Sequence, residues 1–205
     1  MSVSSHFTGV ARRRVPRQQR GRRRVARLLR AAETVIAEYG HDAATMCAIA
    51  QRAGSSVGSL YQFFPNKDAV VQALCTGFAE ASDSLWKDLT ARATKLGADE
   101  LADRMIALPL ELAKEHPAFL ALLDLPPTAH SRRRHEIIRE RIAGALRARR
   151  PRLSRTEALR MASVTHQIVR GCLTLCARSH IEERSGIVEE FRVVLAGYLR
   201  ERLSE

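Results

Sequence analysis

The spacing of apolar residues restricts the fold of this chain more than any other feature of its sequence. From Arg22 almost to the C-terminal end, apolar residues recur every three or four positions, and no segment alternates apolar and polar residues as a half-buried strand does. Glycines, prolines and capping residues divide this pattern into about nine segments. The sequence therefore predicts an all-α protein of about nine helices.

Caps and helix breakers predict where each helix begins and ends. Gly40 and Gly54 follow periodic segments as C-terminal signals, and Thr45, Ser56 and Asn66 precede such segments as N-caps. Ser154 and Glu157 have the spacing of a capping box. Helices are predicted at 22–39, 46–53, 57 to 63 or 64, 67 to about 95, around 101–112 with Pro109 inside, 118–123 and about 131–149, with two more behind Ser154 and around Phe191.

Basic residues are concentrated near the N-terminus. The chain has 34 Lys and Arg against 22 Asp and Glu, a net charge of +12. Residues 1–70 hold 12 basic and 4 acidic residues, a balance of +8, which leaves +4 for residues 71–205. Residues 1–21 mix Ser, Gly, Pro and Arg without periodicity, so we expect a disordered basic arm there. The balance favours a polyanionic partner, either nucleic acid or acidic lipid, or a solubilising arm.

Several classes of protein are disfavoured by composition and by missing motifs. The longest charge-free stretch, residues 53–66, contains Gly, Ser, Gln and Asn and is too short and too polar for a membrane span. The first 24 residues contain eight arginines and no apolar core of a secretory signal, and the 4 cysteines lack the spacing of a disulfide scaffold. We find no Walker loop, dinucleotide fingerprint, zinc-protease motif or nucleophile elbow. We therefore expect a cytoplasmic protein that is not an enzyme and uses no cofactor, metal or membrane.

The segment from Thr45 to Lys67 has the pattern of a helix-turn-helix motif. Two short capped helices flank a tight turn at residues 53–55. A helix of about seven residues spans about 10 Å and fits the major groove of B-DNA, which is about 12 Å wide. In such a motif the second helix enters the groove with its N-terminal end first. The alternative interpretation is a turn between two purely structural helices.

The side chains of this segment divide into an inward and an outward set. The residues that can pack against the first helix are Ile49, Ala50, Leu60 and Phe64. The residues left at the leading end of the second helix are Ser55, Ser56, Val57 and Ser59. Their hydroxyl and methyl groups suit base edges, and Gly58 permits a close approach. Tyr61 suits a phosphate oxygen, and Thr45 and Lys67 lie at helix N-termini, which attract phosphate.

Residues 22–75 resemble the DNA-binding domain of the TetR family of transcriptional regulators. The resemblance rests on Ile49-Ala50, Ala53-Gly54, the run from Ser56 to Tyr61, Phe63-Phe64 and Asn66-Lys67-Asp68, and Ser55 departs from it because the family usually has an apolar residue there. It implies a homodimeric repressor that binds a near-palindromic double-stranded DNA operator and is released by a small-molecule effector. It also implies that the arm at 1–21 precedes a DNA-binding domain at 22–66 and an effector-binding and dimerisation domain at 67–205. By family position, the DNA-contacting residues are Thr45, Ser55, Ser56, Val57, Ser59, Tyr61, Gln62 and Lys67, to which we add Gly58 for its close approach and Arg22 for the basic arm.

Candidate effector and dimer residues come from the helices behind residue 67. Those that could line an effector pocket, or form ordinary core, are Phe78, Leu85, Met105, Phe119, Leu123, His166 and Ile168. Acids show no excess in this part, so the sequence does not predict the charge of the effector. Small residues that could lie at a dimer interface, or in intrachain packing, are Ala162, Gly171, Ala196 and Gly197.

Two further patterns leave alternatives open. Cys172, Cys176 and His180 have i, i+4, i+8 spacing, which could hold a metal or sense oxidants, although buried cysteines usually act as small apolar residues. The arginines of the arm could read a minor groove or only attract phosphates. Those at 132–134, 147, 149, 150 and 152 are predicted to lie on solvated faces, with an anionic ligand or more distant DNA as the alternative. The alternative functions are therefore a non-specific nucleic-acid-binding protein and a thiol- or metal-responsive regulator.

Overall fold

The computed structural model describes residues 19–123, 125 and 129–204, with side chains described except at 129–131. This part of the chain contains eight α-helices, two short 3-10 helices and no strand, which confirms the all-α prediction. The α-helices are α1 (Gln19–Ala43), α2 (Met46–Arg52), α3 (Val57–Tyr61), α4 (Lys67–Arg92), α5 (Ala98–Glu115), α6 (Ala129–Arg149), α7 (Arg155–Arg178) and α8 (Arg184–Leu203). None of these helices combines the length and the apolarity that crossing a bilayer requires.

One predicted helix is shorter than its pattern indicates. The sequence predicts a helix over 118–123, whereas the structure has only a 3-10 helix at Leu120–Leu122. Pro117 supplies no N–H group, and so short a segment does not offset the cost of starting an α-helix. The other 3-10 helix, Ala93–Lys95, directly follows α4. The helical segment that begins at Lys67 therefore extends to residue 95, as predicted.

The chain divides into two compact units, Met1–Leu74 and Cys75–Glu205, so α4 contributes to both. The sequence-based boundary between 66 and 67 lies earlier, at the start of α4. Most of the predicted arm lies outside the described residues. Gln19, Arg20 and Gly21 belong to α1, so these three residues are helical rather than part of a disordered arm.

The core of the first unit is built by α1, α2 and α3. Its fully buried side chains include Leu28, Ile36, Ile49, Leu60 and Phe64. The predicted inward set, Ile49, Ala50, Leu60 and Phe64, is confirmed. Burial of this set fixes which face of α2 and α3 points away from the core.

Local capping determines the turns around α2 and α3. Thr45 Oγ1 accepts a hydrogen bond from the Ala48 N–H at 3.1 Å, and Ser56 Oγ accepts one from the Ser59 N–H at 3.2 Å. Gly54 has φ of 56° in the turn between them, a conformation that favours glycine. Asn66 Oδ1 caps α4 by accepting from the Ala69 N–H at 2.9 Å. The predicted N-caps are therefore confirmed, and they fix where α2, α3 and α4 begin.

The second unit packs α5, α6, α7 and α8 around one core. Its fully buried residues include Leu101, Ile106, Leu146, Leu195 and Leu199. The capping box at the start of α7 is confirmed, because Ser154 Oγ accepts from the Glu157 N–H at 3.2 Å and Glu157 Oε2 accepts from the Ser154 N–H at 3.0 Å. Glu157 Oε2 also accepts from the Ser154 hydroxyl at 2.6 Å, and this bond together with the one from the Ser154 N–H lowers the pKa of the Glu157 carboxyl below its ordinary value. Arg141 on α6 donates to Asp83 on α4 at 2.8 Å and links those two helices.

Candidate nucleic-acid interface

The N-terminal end of α3 forms an exposed tip of the first unit. The exposed members of the candidate set are Thr45, Ser56, Gly58, Tyr61, Gln62 and Arg22, and the half-buried members are Ser55, Val57 and Lys67. Tyr61 is 51% exposed, which leaves its phenol hydroxyl available to an external group. The structure therefore brings most of the predicted contact residues to one short helix and its two flanks.

Gly58 has open space on its outer side. A Cβ atom built at this position meets nothing within 4 Å. Packing within the chain therefore does not require glycine, although glycine in a helix costs about 1 kcal/mol relative to alanine. An external surface that approaches the backbone closely gives a reason for this residue.

Ser59 lies differently from its prediction. Its side chain is only 5% exposed, and its hydroxyl is buried without a hydrogen-bond partner in the described part of the chain. It shares the inward side of α3 with Leu60, so it cannot reach a base edge as placed. The hydroxyl of Ser55 is buried in the same way, although the residue as a whole is half-buried. The correction for Ser59 arises because a five-residue helix has only a narrow outward face, whereas Ser55 lies in the turn before α3 begins at Val57.

Lys67 is engaged within its own unit. Its Nζ donates to the carbonyl oxygens of His41 at 2.8 Å and Asp42 at 3.3 Å, just after the backbone leaves helical geometry at Gly40. The side chain therefore fastens the end of α1 to the start of α4. Its predicted contact with phosphate has to be made with an ammonium group that already has two acceptors.

Two features of this unit are absent from the sequence predictions. Arg52 on α2 forms a two-pronged ion pair with Glu38 on α1, and the hydrogen bonds from Arg52 lower the pKa of the Glu38 carboxyl. No sequence signal connects residues so far apart. The second feature is a row of exposed arginines at i, i+3, i+7 and i+10 along α1, which the spacing could have revealed: Arg20, Arg23, Arg27 and Arg30.

The predicted effector residues lie in several places of the second unit. Phe78 packs against Phe119 with ring centroids 5.7 Å apart, and His166 lies 5.2 Å from the ring of His135. Met105 is buried in the core, and Leu85 lines a surface groove between α4 and α5. Leu123 and Ile168 are half-buried against the same core. The structure thus joins Phe78 to Phe119, whereas Leu85 lies in a groove that the other six residues do not line.

The predicted dimer residues mostly serve intrachain packing. Ala162 and Ala196 are buried within their own subunit, at 0% and 7% exposure. A Cβ atom at Gly171 would lie 3.3 Å from the ring of Phe191, so this glycine makes room for α8. Of the four residues, Gly197 alone is exposed. Ala162, Ala196 and Gly171 therefore take part in packing within the chain, which was the alternative to a dimer interface.

Exposed apolar residues on α7 and α8 were missed by the sequence reasoning. They are Val164, Leu175, Val193 and Val194. Leu175 is 46% exposed and Val194 is 54% exposed. A second apolar stripe on α7, at positions 164, 168, 171 and 175, could have indicated this face.

The cysteine pair does not form the site that its spacing suggested. Cys172 and Cys176 are buried, and burial together with the neighbouring Cys176 raises the pKa of Cys172 to about 12. A thiol with so high a pKa is a poor nucleophile and metal ligand at neutral pH. His180 lies beyond the end of α7 at Arg178, so the three residues do not share one helix face. Among the described residues, no group of three or more side chains could hold a metal ion.

Several arginines predicted on solvated faces make contacts within the chain. Arg149 Nε donates to the Leu96 carbonyl at 2.8 Å, and Arg150 Nη1 donates to the Arg202 carbonyl at 2.9 Å. Arg134 Nη1 lies 2.8 Å from Cys75 Sγ. These guanidinium groups satisfy helix ends and neighbouring side chains, which a single charge run does not reveal.

The short helix α3, capped by Ser56 and presented behind the turn at Gly54, has the geometry of a helix-turn-helix motif. The sequence matches the family model for bacterial regulatory proteins of the tetR family over residues 28–74 and the model for the tetracyclin repressor-like C-terminal domain over residues 97–199. The chain belongs to the TetR family of transcriptional regulators. A search of the curated proteins found no significant match.

Solved structures share the fold over most of the chain. A TetR-family transcriptional regulator from Streptomyces coelicolor is 28% identical and has a TM-score of 0.65, with 87% of this chain and 98% of that chain covered. SmeT, the repressor of a multidrug efflux pump in Stenotrophomonas maltophilia, is 21% identical with a TM-score of 0.64, covering 87% and 89%. FadR from Bacillus subtilis in complex with stearoyl-CoA is 18% identical with a TM-score of 0.59, covering 81% and 96%.

Proposed function

We propose that the protein is a repressor that binds a near-palindromic DNA operator as a homodimer and leaves it when a small molecule binds to the second unit. The observation that carries the proposal is the exposed N-terminal end of α3, with open space beside Gly58. Family membership supports DNA-binding regulation as the general function. The proposal assigns the chain no catalytic role.

The proposed contacts follow from exposure. Ser56, Val57 and Gly58 would face base edges, because they lie at the leading end of α3. Tyr61 and Thr45 would donate to phosphate oxygens on either side of the groove. Ser55, Gln62 and Lys67 are kept as secondary candidates for DNA contact. Arg22 would contact the DNA backbone beside the groove. Ser59 is left out because it is buried.

The proposed dimer uses the exposed apolar faces of α7 and α8. The face of α7 that carries Val164 and Leu175 also carries the exposed basic residues Arg160, near Val164, and Arg178, near Leu175. Around Val194, the face of α8 is flanked by the exposed acids Glu190 and Glu201. In a twofold interface, α7 of one protomer can therefore meet α8 of the other with opposite charges at the rim. A twofold dimer would present two α3 helices to two half-sites one helical turn apart, about 34 Å.

The second unit is the proposed effector-binding part. FadR, a solved protein with this fold, is in complex with stearoyl-CoA. By physical necessity, an effector that releases DNA must bind the released state more tightly than the DNA-bound state. A non-specific nucleic-acid-binding protein would need neither this unit nor a capped groove helix.

Replacement of Gly58 tests the proposal. Gly58→Ala has room in the free protein, so folding is preserved, but the added methyl group projects toward the proposed DNA surface. We expect binding to a duplex selected by the wild-type protein to weaken at least tenfold, measured by fluorescence anisotropy. The matched control is Gly144→Ala, another exposed helical glycine whose Cβ meets nothing within 4 Å, and its binding should equal that of the wild type. Wild-type affinity in Gly58→Ala, or equal affinity of the wild type for scrambled duplexes, would contradict the proposal.

A further inference from the structure

One side of α1 carries a row of arginines that points away from the core of the first unit. This arginine row consists of Arg20, Arg23, Arg27 and Arg30, and all four residues are exposed. They are separated by three, four and three positions, so they follow one line along the helix surface. The buried residues of α1, which lie between Val25 and Ile36, occupy the opposite side. The row is therefore accessible to a partner.

The positive charge of the row is not compensated within its own stretch of α1. Residues 19–32 contain six arginines and no Asp or Glu. The next acids along the helix are Glu33 and Glu38, and Glu38 is paired with Arg52. In the part of the chain that the structure describes, the four guanidinium groups of the row make no hydrogen bond or ion pair. A carboxylate at Glu33 cannot neutralise six guanidinium groups, so a strong excess of positive charge remains.

This arrangement opposes the stability of the helix that carries it. Like charges three or four positions apart destabilise a helix, because their side chains are neighbours on its surface. Negative charges placed along the row would turn this repulsion into attraction. Three of the four arginines precede residue 28, where the match to the family model begins, so most of the row lies outside the matched segment.

The row projects toward the same side of α1 as the contact with the helix-turn-helix. Arg20 and Glu38 are 18 positions apart, which is five turns of an α-helix, and the helix is uninterrupted between them because its non-helical residue is Gly40. Their side chains therefore leave α1 in the same direction. Glu38 uses this direction to reach Arg52 on α2. The other arginines of the row lie within about a quarter of a turn of the same line.

The length and the charge spacing of the row match one strand of a DNA duplex. Arg20 and Arg30 are ten positions apart, which corresponds to about 15 Å along the helix axis. One strand of B-DNA carries a phosphate for about every 3.4 Å of duplex, so about four phosphates lie within that length. An acidic membrane is a poorer match, because a helix that binds a bilayer inserts an apolar face. The apolar face of α1 is already buried in the core of the first unit.

We propose that the arginine row binds successive phosphates of one DNA strand beside the groove that α3 enters. This inference rests on the proposed function, because it requires a protein that binds duplex DNA. Guanidinium groups pair with phosphate oxygens through charge-assisted hydrogen bonds. Contacts to phosphates carry no sequence information, so the row adds affinity for every duplex and leaves the preference for the operator to α3.

Replacement of the two central arginines of the row tests this inference in the full-length protein. The test variant is Arg23→Gln/Arg27→Gln, which keeps the helix because glutamine and arginine have similar helix propensities. The matched control is Arg104→Gln/Arg147→Gln, which removes the same charge from exposed residues of α5 and α6. Fluorescence anisotropy measures binding to a duplex selected by the wild-type protein and to a scrambled duplex, at salt concentrations from about 50 to about 200 mM.

The test variant should bind both duplexes at least tenfold more weakly than the wild type at the lowest salt concentration. Its log–log dependence of affinity on salt should be less steep by about 1.8 for each protomer, since each lost phosphate contact removes about 0.9. The ratio of the two affinities should stay at the wild-type value, because the row does not read bases. The control variant should keep the affinities and the salt dependence of the wild type.

Three results would overturn the inference. They are an unchanged salt dependence in the test variant, an equal loss of affinity in the control, and a reduced ratio of selected to scrambled affinity. Vesicles that contain phosphatidylserine provide a further probe, and a test variant that loses vesicle binding but keeps its DNA affinity would assign the row to acidic lipid instead. Equal affinity of the wild type for both duplexes would refute the proposed function, whereas the contribution of the row to the salt dependence would still be measured. The two failures are therefore distinguishable.

Discussion

His166 makes the stability of the second unit depend on pH. The pKa of this imidazole is about 4 in the folded chain and 6.5 ordinarily, mainly because of burial and then because of His135 and the surrounding arginines. Between these two values the unfolded chain binds a proton that the folded chain does not bind. Stability is therefore complete above pH 6.5 and falls as the pH decreases toward 4.

The size of the effect follows from the two pKa values. A pKa difference converts at 1.36 kcal/mol per unit, so the full loss on acidification is about 3 kcal/mol. Between pH 7.5 and 5.5 the same linkage gives a loss of about 1.3 kcal/mol. Because the side chain is half-buried and keeps some contact with solvent, these figures are upper values.

Urea denaturation at pH 7.5, 6.5 and 5.5 measures this loss. Wild-type protein should lose about 1 kcal/mol of unfolding free energy over this range. His166→Gln should lose distinctly less, while the exposed control His180→Gln should behave as the wild type does. A His166→Gln variant that retains the whole pH dependence of the wild type would refute the assignment to this imidazole.

Three further outcomes follow from packing and charge. Gly144→Ala should raise the unfolding free energy by about 1 kcal/mol through helix propensity. Gly171→Ala should raise the unfolding free energy by on the order of 1 kcal/mol less than that, because its methyl group meets Phe191. Urea denaturation compares the two variants, and equal increases would contradict the packing argument. Leu175→Glu should shift the protein to monomer in sedimentation experiments, and an unchanged dimer would exclude this face of α7. Deletion of residues 1–18 should make the dependence of DNA affinity on salt less steep, by about 0.9 in log–log slope for each phosphate that the arm neutralises, whereas an unchanged slope and affinity would show that the arm does not bind DNA.

Local features of the fold were predictable from the sequence because they depend on neighbours in the chain. The caps at Thr45, Ser56 and Ser154 each use an N–H group three residues further on, so residue type and spacing suffice. Gly54 adopts the left-handed conformation that ends α2, as its position after an apolar segment indicates. The inward set around Ile49 followed from helical periodicity alone.

Features that depend on tertiary packing were not predictable in this way. Ser59 resembles an outward residue in the sequence, but the short α3 turns it toward the core. Gly171 could face either a partner or its own chain, and only the position of Phe191 decides between them. The ring contact between His135 on α6 and His166 on α7 joins residues about 30 positions apart, so no motif signals it.

Selection of bound duplexes from a random pool, with full-length protein, tests the central claim most directly. The account predicts enrichment of one sequence made of two inverted half-sites, with their centres about 10 base pairs apart. The enriched duplex should also bind at least a hundredfold more tightly than a scrambled duplex of the same composition at physiological salt. Retention of DNA without enrichment of any sequence would contradict the account and leave only non-specific attraction to phosphates.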